Sequence, residues 1–130
     1  MADLEYLDLR GGDFTGTLNL GSSHLLTFLD IGINDFTSVV LPTAHAGSIL
    51  GSDITYDLES NNLVNADIEQ ILSNLASVVS QNTYTGAPEI DIVNNPSGDP
   101  SAILTTANFT TSMTTSAQTL QTAGWTVNPN

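Results

Sequence analysis

The chain has no lysine and no cysteine, and Arg10 is its single arginine. Fourteen acidic residues give it a formal net charge of −13. Binding to nucleic acid or to an anionic membrane surface depends on Lys and Arg side chains that neutralise phosphates. The composition therefore predicts that the chain binds neither nucleic acid nor an anionic membrane surface. Because cysteine is absent, disulfide bonds and thiolate metal sites are excluded as well.

Long apolar runs are also missing from the sequence. A membrane-spanning helix needs about 18 or more uninterrupted apolar residues, and no such stretch occurs. The first residues, 1–5, lack the basic and apolar regions of a secretion signal. We therefore expect neither a membrane anchor nor a signal peptide. At 130 residues the chain has the size of a single domain.

What the sequence does contain is a recurring aspartate between two large apolar residues. The four copies are centred on Asp8, Asp30, Asp57 and Asp91. Successive side chains of a strand point to opposite faces, so we expect these aspartates to leave one face of a sheet while their apolar neighbours enter the core. Four residues after each aspartate come Gly12, Asn34, Asn61 and Asn95. An asparagine at such a bend can satisfy backbone groups that the turn leaves unpaired.

Residues 26–36 follow the pattern Leu-x-x-Leu-x-Leu-x-x-Asn-x-Leu almost position by position and so resemble the leucine-rich repeat family. The likeness covers residues 4–36, is looser over 56–63, and fades beyond. Asp53 and Ala87 stand where the family has its first leucine, and the aspartates lie 22, 27 and 34 residues apart. The resemblance implies an α/β solenoid with a short parallel sheet of about five strands, and helices on its convex side in the C-terminal half.

This resemblance also predicts how the chain is organised. Residues 1–130 would form one repeat domain, with nearly all-β repeats over 3–63 and helix-containing repeats with a C-terminal cap over 64–130. Segments 18–20 and 39–41 are expected to be extended, and 82–88 and 94–100 to be loops rich in turn-forming residues.

Two helices are predicted from the spacing of apolar residues. In the first, Asn65 acts as the N-cap and the helix runs to about Ser80, because apolar residues recur at i, i+3, i+4 and i+7. Those residues are Ile68, Ile71, Leu72, Leu75, Val78 and Val79. The second helix is expected from Thr111 to Ala123, ended by Gly124, with residues 125–127 as a closing strand.

If the four strands stack in register, the aspartates form a row with about 4.8 Å between neighbours. The residues two positions before each aspartate and those two positions after it would form two further rows, one on each side, on the concave face of the solenoid. The predicted binding residues are Tyr6, Asp8, Arg10, Phe28, Asp30, Asp57, Glu59, Glu89 and Asp91. The aspartates either bridge a cation such as Ca²⁺ or are simply common at this position of the repeat. The aromatic residues either recognise a sugar ring or a protein pocket, or pack between strands.

Catalysis is not expected from this inventory. His24 and His45 are the only imidazoles, and none of the Gly-x-Ser-x-Gly, His-Glu-x-x-His or phosphate-loop motifs occurs. We therefore predict no catalytic residues, no metal site and no cofactor. A carbohydrate-processing enzyme remains a third hypothesis, since paired carboxylates can be assembled from any acidic surface.

The first strand suggests an association. Residues 4–9, from Leu4 to Leu9, begin the sheet without a preceding cap, and an open strand edge recruits other chains. Either a longer repeat array continues there or the edge pairs with another subunit, and we favour a homo-oligomer or a larger particle.

The C-terminal pattern, a Pro-Ser loop, a helix and then Ala-Gly-Trp-Thr-Val over 123–127, is similar to the ends of some repeat-containing phage and bacterial surface proteins. It implies a structural or adhesive virion component, a fibre, spike or decoration protein, that contacts other virion subunits or a host glycan or protein. The location would be a virion or extracellular assembly. The alternative is a cytoplasmic leucine-rich-repeat interaction module that binds a basic partner.

Overall fold

The computed structural model describes residues 1–95 and 109–128. Within these residues the chain forms a small α/β fold of seven strands and two α-helices. In chain order the elements are β1 (Tyr6–Asp8), β2 (Thr15–Asn19), β3 (Phe28–Asp30), β4 (Asp35–Val40), a 3₁₀ turn (Gly47–Ile49), β5 (Thr55–Asp57), α1 (Asn65–Val79), β6 (Glu89–Asp91), α2 (Thr111–Thr122) and β7 (Thr126–Asn128). No helix in this part of the chain is both long and apolar enough to cross a membrane.

Five strands form one parallel sheet in the order β1-β3-β5-β6-β7. The middle residue of each strand points into the core, and these residues are Leu7, Leu29, Tyr56, Ile90 and Val127. The four aspartates pair directly with one another across the sheet, as predicted, and Asn128 continues their row on β7. We call the side of this sheet that carries the aspartates the outer face.

The solenoid prediction is wrong, because the strands of the sheet and their turns repeat but the connections between them do not. A solenoid stacks one unit so that each copy contacts only its neighbours. Here the connections between the strands differ in kind. The β1–β3 and β3–β5 connections contain β2 and β4, which pair in a separate two-stranded sheet, whereas the β5–β6 connection contains α1. Helix α1 packs between β4 and α2, so a strand and helices occupy successive connections. The molecule is therefore a small α/β fold without a constant repeat unit, and the predicted division into concave and convex sides does not apply.

The predicted helices are present, with small differences at their ends. Helix α1 buries the apolar residues that predicted it, and it ends one residue earlier than expected. Its N-cap is Val64 rather than Asn65, and the Val64 backbone N–H donates to the Asp67 carboxylate at 3.3 Å. In α2 the Thr110 hydroxyl accepts from the Met113 N–H at 3.2 Å, which satisfies one of the unpaired donors of the first turn.

The predicted extended segments and loops are mostly found. Segments 18–20 and 39–41 overlap the ends of β2 and β4, and 82–88 has neither helix nor strand. The closing strand lies one residue later than predicted, at Thr126–Asn128. Of the predicted loop at 94–100, only Asn94 and Asn95 lie among the described residues.

Candidate functional site

Buried asparagines fix the turns that follow the strands. Asn34 donates from Nδ2 to the carbonyls of Leu9 and Ile31, both at 2.9 Å. Its Oδ1 accepts from the backbone N–H groups of Gly12 at 3.1 Å and Phe14 at 2.9 Å. Asn34 thus joins its own turn to the preceding one, as the sequence predicted for an amide at this bend. We call Asn34, Asn61 and Asn95, which act alike, the asparagine ladder.

The residue before each ladder asparagine has a left-handed backbone, which the sequence pattern did not predict. Ile33, Ser60 and Asn94 have φ of 55°, 51° and 57°. A β-branched residue in this conformation costs on the order of 1–2 kcal/mol. Ile33 is nevertheless 54 % exposed. Its conformation is imposed by the turn, because the Asn34 side chain holds the backbone on both sides of it.

Each aspartate of the outer face makes a local structural bond. Its Oδ1 accepts from the backbone N–H two residues later, at 3.1 Å for Asp8, 2.9 Å for Asp30, 3.0 Å for Asp57 and 2.9 Å for Asp91. The bond satisfies a donor at the point where the strand ends. This bond gives each aspartate a role in the turn that follows its strand.

Arg10 lies across the centre of the outer face. Its Nη1 is 3.4 Å from Asp30 Oδ1 and 3.3 Å from Asp57 Oδ2, and its Nη2 donates to Glu59 Oε1. The pKa of Arg10 is raised, above all by the hydrogen bond to Glu59. The guanidinium therefore reaches from the turn after β1 to the third strand of the sheet and neutralises part of the carboxylate cluster. We call Arg10, Asp30, Asp57 and Glu59 the arginine cluster.

The carboxylates at the centre of the sheet are the hardest to ionise. Burial raises the pKa of Asp57 to about 6, and repulsion by Asp30, Glu59 and Asp91 adds to this effect. Burial also raises the pKa of Asp91. Single carboxylate oxygens of Asp57, Glu59 and Asp91 lie within 4.8 Å of one another and could share a metal ion. Two of these three residues already pair with Arg10, so its guanidinium supplies the positive charge that a metal would bring.

An aromatic pair lies beside the aspartates. The rings of Tyr6 and Phe28 are stacked, with centroids 4.4 Å apart and planes inclined by 9°. Tyr6 is nevertheless 60 % exposed. The packing between strands that the sequence allowed is thus present, and it leaves an exposed aromatic surface at the β1 edge of the sheet.

The structure brings the predicted binding residues onto one face but divides them into groups. Asp91 lies beside Asp57 and Glu59 of the arginine cluster. The Tyr6–Phe28 pair forms a second group next to Asp8. Glu89 lies in the same row as the aromatic pair, beyond Thr55 on the central strand.

Sequence reasoning missed a buried cluster around His45. His45 is 7 % exposed, and its ring lies parallel to that of Trp125, with centroids 6.0 Å apart and an angle of 14°. Nδ1 is 2.6 Å from the Tyr84 hydroxyl and Nε2 is 3.0 Å from the Tyr56 hydroxyl. The Tyr56 hydroxyl donates its one hydrogen to the Leu26 carbonyl at 3.1 Å, so it accepts from Nε2–H, and Nδ1 accepts from Tyr84.

This environment keeps the imidazole neutral. Burial lowers the pKa of His45 to about 4, and His24 contributes to the shift. Burial likewise raises the pKa of Tyr84 to about 12. The four ring residues of the cluster come from distant parts of the chain, and no local spacing relates them. His45 thus connects the loop after β4 to β5, to the segment after α1 and to Trp125, which precedes β7.

Comparison of the chain with protein-family models, with curated proteins and with solved structures gave no match.

Proposed function

We propose that this chain is a non-catalytic structural or adhesive protein that works by presenting the outer face of its five-stranded sheet. The observation that carries the proposal is the exposed ring of Tyr6, stacked on the partly buried Phe28 beside a row of carboxylates. Exposed tyrosine supplies a large contact area with little loss of conformational entropy on binding. The exposed side of this stack is left in water in the isolated chain. A partner that covered it would bury apolar surface, and this burial would favour the complex.

The surroundings of the titratable groups support a binding role over catalysis. Both ring nitrogens of His45 are engaged by tyrosine hydroxyls, so the buried imidazole is not available as a base. The central carboxylates Asp30 and Asp57 are held by backbone N–H groups and by Arg10. These contacts make them fixed recognition groups.

The setting that we propose is a phage virion or a similar extracellular assembly, with the chain as a fibre, spike or decoration protein. The support is compositional, since Thr, Ser and Asn outnumber charged residues among the polar ones. A cytoplasmic module that binds a basic partner is the alternative, and the acidic outer face favours the same kind of partner in either setting.

The β1 edge provides a second contact in this proposal. Strand β1 lies at one end of the sheet order, so one side of its backbone is free of strand partners among the described residues. We propose that residues 4–9 pair there with another copy or another virion subunit. Size-exclusion chromatography with light scattering of the purified protein is expected to show a homo-oligomer. A monomer across the accessible concentration range would contradict self-pairing.

The outer face can be tested with glycan and protein arrays. We expect at least one ligand whose binding is lost in the double variant Tyr6→Ala/Phe28→Ala, because its contact area is removed. The matched control is Phe14→Ala, which deletes an aromatic side chain that is 45 % exposed and does not belong to the strands of this sheet. Thermal unfolding of all three proteins checks that the fold is kept. If every bound ligand is retained by the double variant, the outer face is not the binding surface.

A further inference from the structure

The outer face carries more negative charge than the side chains of this sequence can neutralise. The whole sequence contains one arginine and no lysine against fourteen acidic residues. Arg10 pairs with Asp30, Asp57 and Glu59, and among the described residues no other side chain forms an ion pair with the outer face. Asp8, Glu89 and Asp91 are thus left for a positively charged partner.

Arg10 shows which kind of cation fits this surface. Its planar guanidinium contacts carboxylates from two strands and the turn after β5 through two different nitrogens. A lysine ammonium is a point charge that lacks this forked geometry. Arg10 therefore shows that a guanidinium fits between the carboxylates of Asp30, Asp57 and Glu59.

The aromatic pair adds a second feature that arginine recognises. Tyr6 and Asp8 are two residues apart on β1, so their side chains leave the same face about 6–7 Å from each other. The same holds for Phe28 and Asp30 on β3. A guanidinium can lie on a ring face while its N–H groups bond a neighbouring carboxylate, which lysine does less well. The exposed ring of Tyr6 makes this position accessible from solvent.

A second copy of the chain is a poor occupant of the outer face. Its only arginine is already held in its own arginine cluster, so a second copy brings no further arginine to the same carboxylates. The occupant must therefore be a different protein that brings its own arginines.

We propose that the outer face binds an arginine-bearing segment of a partner protein, and that Arg10 occupies the central carboxylates until the partner's guanidinium competes for them. This inference rests on the proposed function and names its partner. The Arg10 side chain is 38 % exposed, so it can leave the cluster without opening the core. Removing it should free Asp30, Asp57 and Glu59 for the partner.

The probe is a fluorescent peptide with four arginines spaced by Gly and Ser, and its binding is followed by anisotropy at physiological salt. Arg10→Gln is expected to tighten binding about fivefold, the effect of gaining one exposed charge contact. The matched control is Gln118→Glu on α2, which gives the same net charge on an exposed site of a helix. We expect this control to stay within about twofold of the wild type, since exposed charges more than about 8 Å away are screened at this salt.

Two further comparisons complete the test. Asp57→Asn should weaken binding about fivefold, while Asp35→Asn, at an exposed position of β4, changes the charge equally and should have less than about a twofold effect. With the wild-type protein, the peptide with lysine in place of arginine should bind several-fold more weakly. This last comparison does not depend on the folding of any variant.

Binding that follows net charge alone would overturn the inference: Arg10→Gln no tighter than Gln118→Glu, Asp57→Asn no weaker than Asp35→Asn, or equal binding of the two peptides. In that case a neutral glycan or protein that is lost with Tyr6→Ala/Phe28→Ala would still support the proposed function. Failure of both experiments would reject the outer face as a binding surface.

Discussion

Replacing His45 by alanine is expected to lower the free energy of unfolding by about 3 kcal/mol at pH 7.5. The substitution removes the ring stacked on Trp125 and leaves the Tyr84 hydroxyl without its buried acceptor. It also removes the donor to Tyr56, whose hydroxyl bonds the Leu26 carbonyl. Urea denaturation followed by tryptophan fluorescence measures the loss, because Trp125 is the single tryptophan and lies in the cluster.

The effect of this substitution should depend on pH. The pKa of His45 is about 4 in the folded protein and 6.5 for an ordinary histidine, so the unfolded chain binds the proton first as the pH falls. The wild type therefore loses stability between pH 6.5 and 4, whereas the alanine variant has no such group. The difference between the two proteins should shrink towards zero over this interval. The pKa of Asp57 is raised to about 6, so its protonation stabilises the folded protein as the pH falls. Asp57 is present in both proteins, so its contribution cancels in the difference between them.

The control for this prediction is His24→Ala. His24 is the other imidazole and lies partly exposed in the neighbouring loop, with no side-chain hydrogen bond among the described residues. We expect less than about 0.5 kcal/mol from this change, the usual effect of a surface substitution. Equal losses in the two variants, or a loss in His45→Ala that does not vary with pH, would show that the His45 cluster does not hold the loop in place.

Replacing Asn61 by alanine is expected to lower the free energy of unfolding by about 3 kcal/mol. Asn61 is 7 % exposed, so the backbone groups left behind cannot all find water. Its Oδ1 accepts from the Phe36 N–H at 3.1 Å, and its Nδ2 donates to the Ile31 carbonyl at 2.9 Å. The loss should therefore reach two successive turns, and amide hydrogen exchange is expected to show faster exchange at Phe36.

The neighbouring residue provides the control. Asn62 is exposed, and its backbone N–H donates to the Phe36 carbonyl at 3.0 Å, with no side-chain hydrogen bond to any residue that the structure describes. Asn62→Ala should change the stability by less than about 0.5 kcal/mol. If Asn61→Ala were as mild as this control, the asparagine ladder would not be what holds the strand ends in register.

The outer face was largely predictable because strand geometry is local. Side chains alternate every two residues, so the apolar neighbours of Asp30 placed its carboxylate outward, and the same apolar-Asp-apolar triplet predicted that Asp57 pairs beside it. The bond of Asn34 within its own turn was predictable for the same reason, since its acceptor, the Ile31 carbonyl, lies three residues earlier. Helix α1 followed from its apolar period.

The fold class was not predictable in this way. The pattern around each aspartate determines a strand and its turn, but it contains no information about the path by which the chain returns to the next strand. Those connections lengthen along the sequence, and they fold as β2 and β4 in the first half and as α1 later. The likeness to a repeat family described the strands correctly and the fold wrongly.

The sequence by itself determined which strand side chains face inward or outward, the apolar helix faces and the net negative charge, because each depends on neighbours along the chain or on composition. Only the tertiary structure decided that Arg10 pairs with Glu59, 49 residues away, and that His45 is buried against Trp125. These contacts join side chains whose separation in sequence follows no period. They form because the sheet and the loops happen to bring one cation to several carboxylates, and one imidazole to several rings, in places that exclude water.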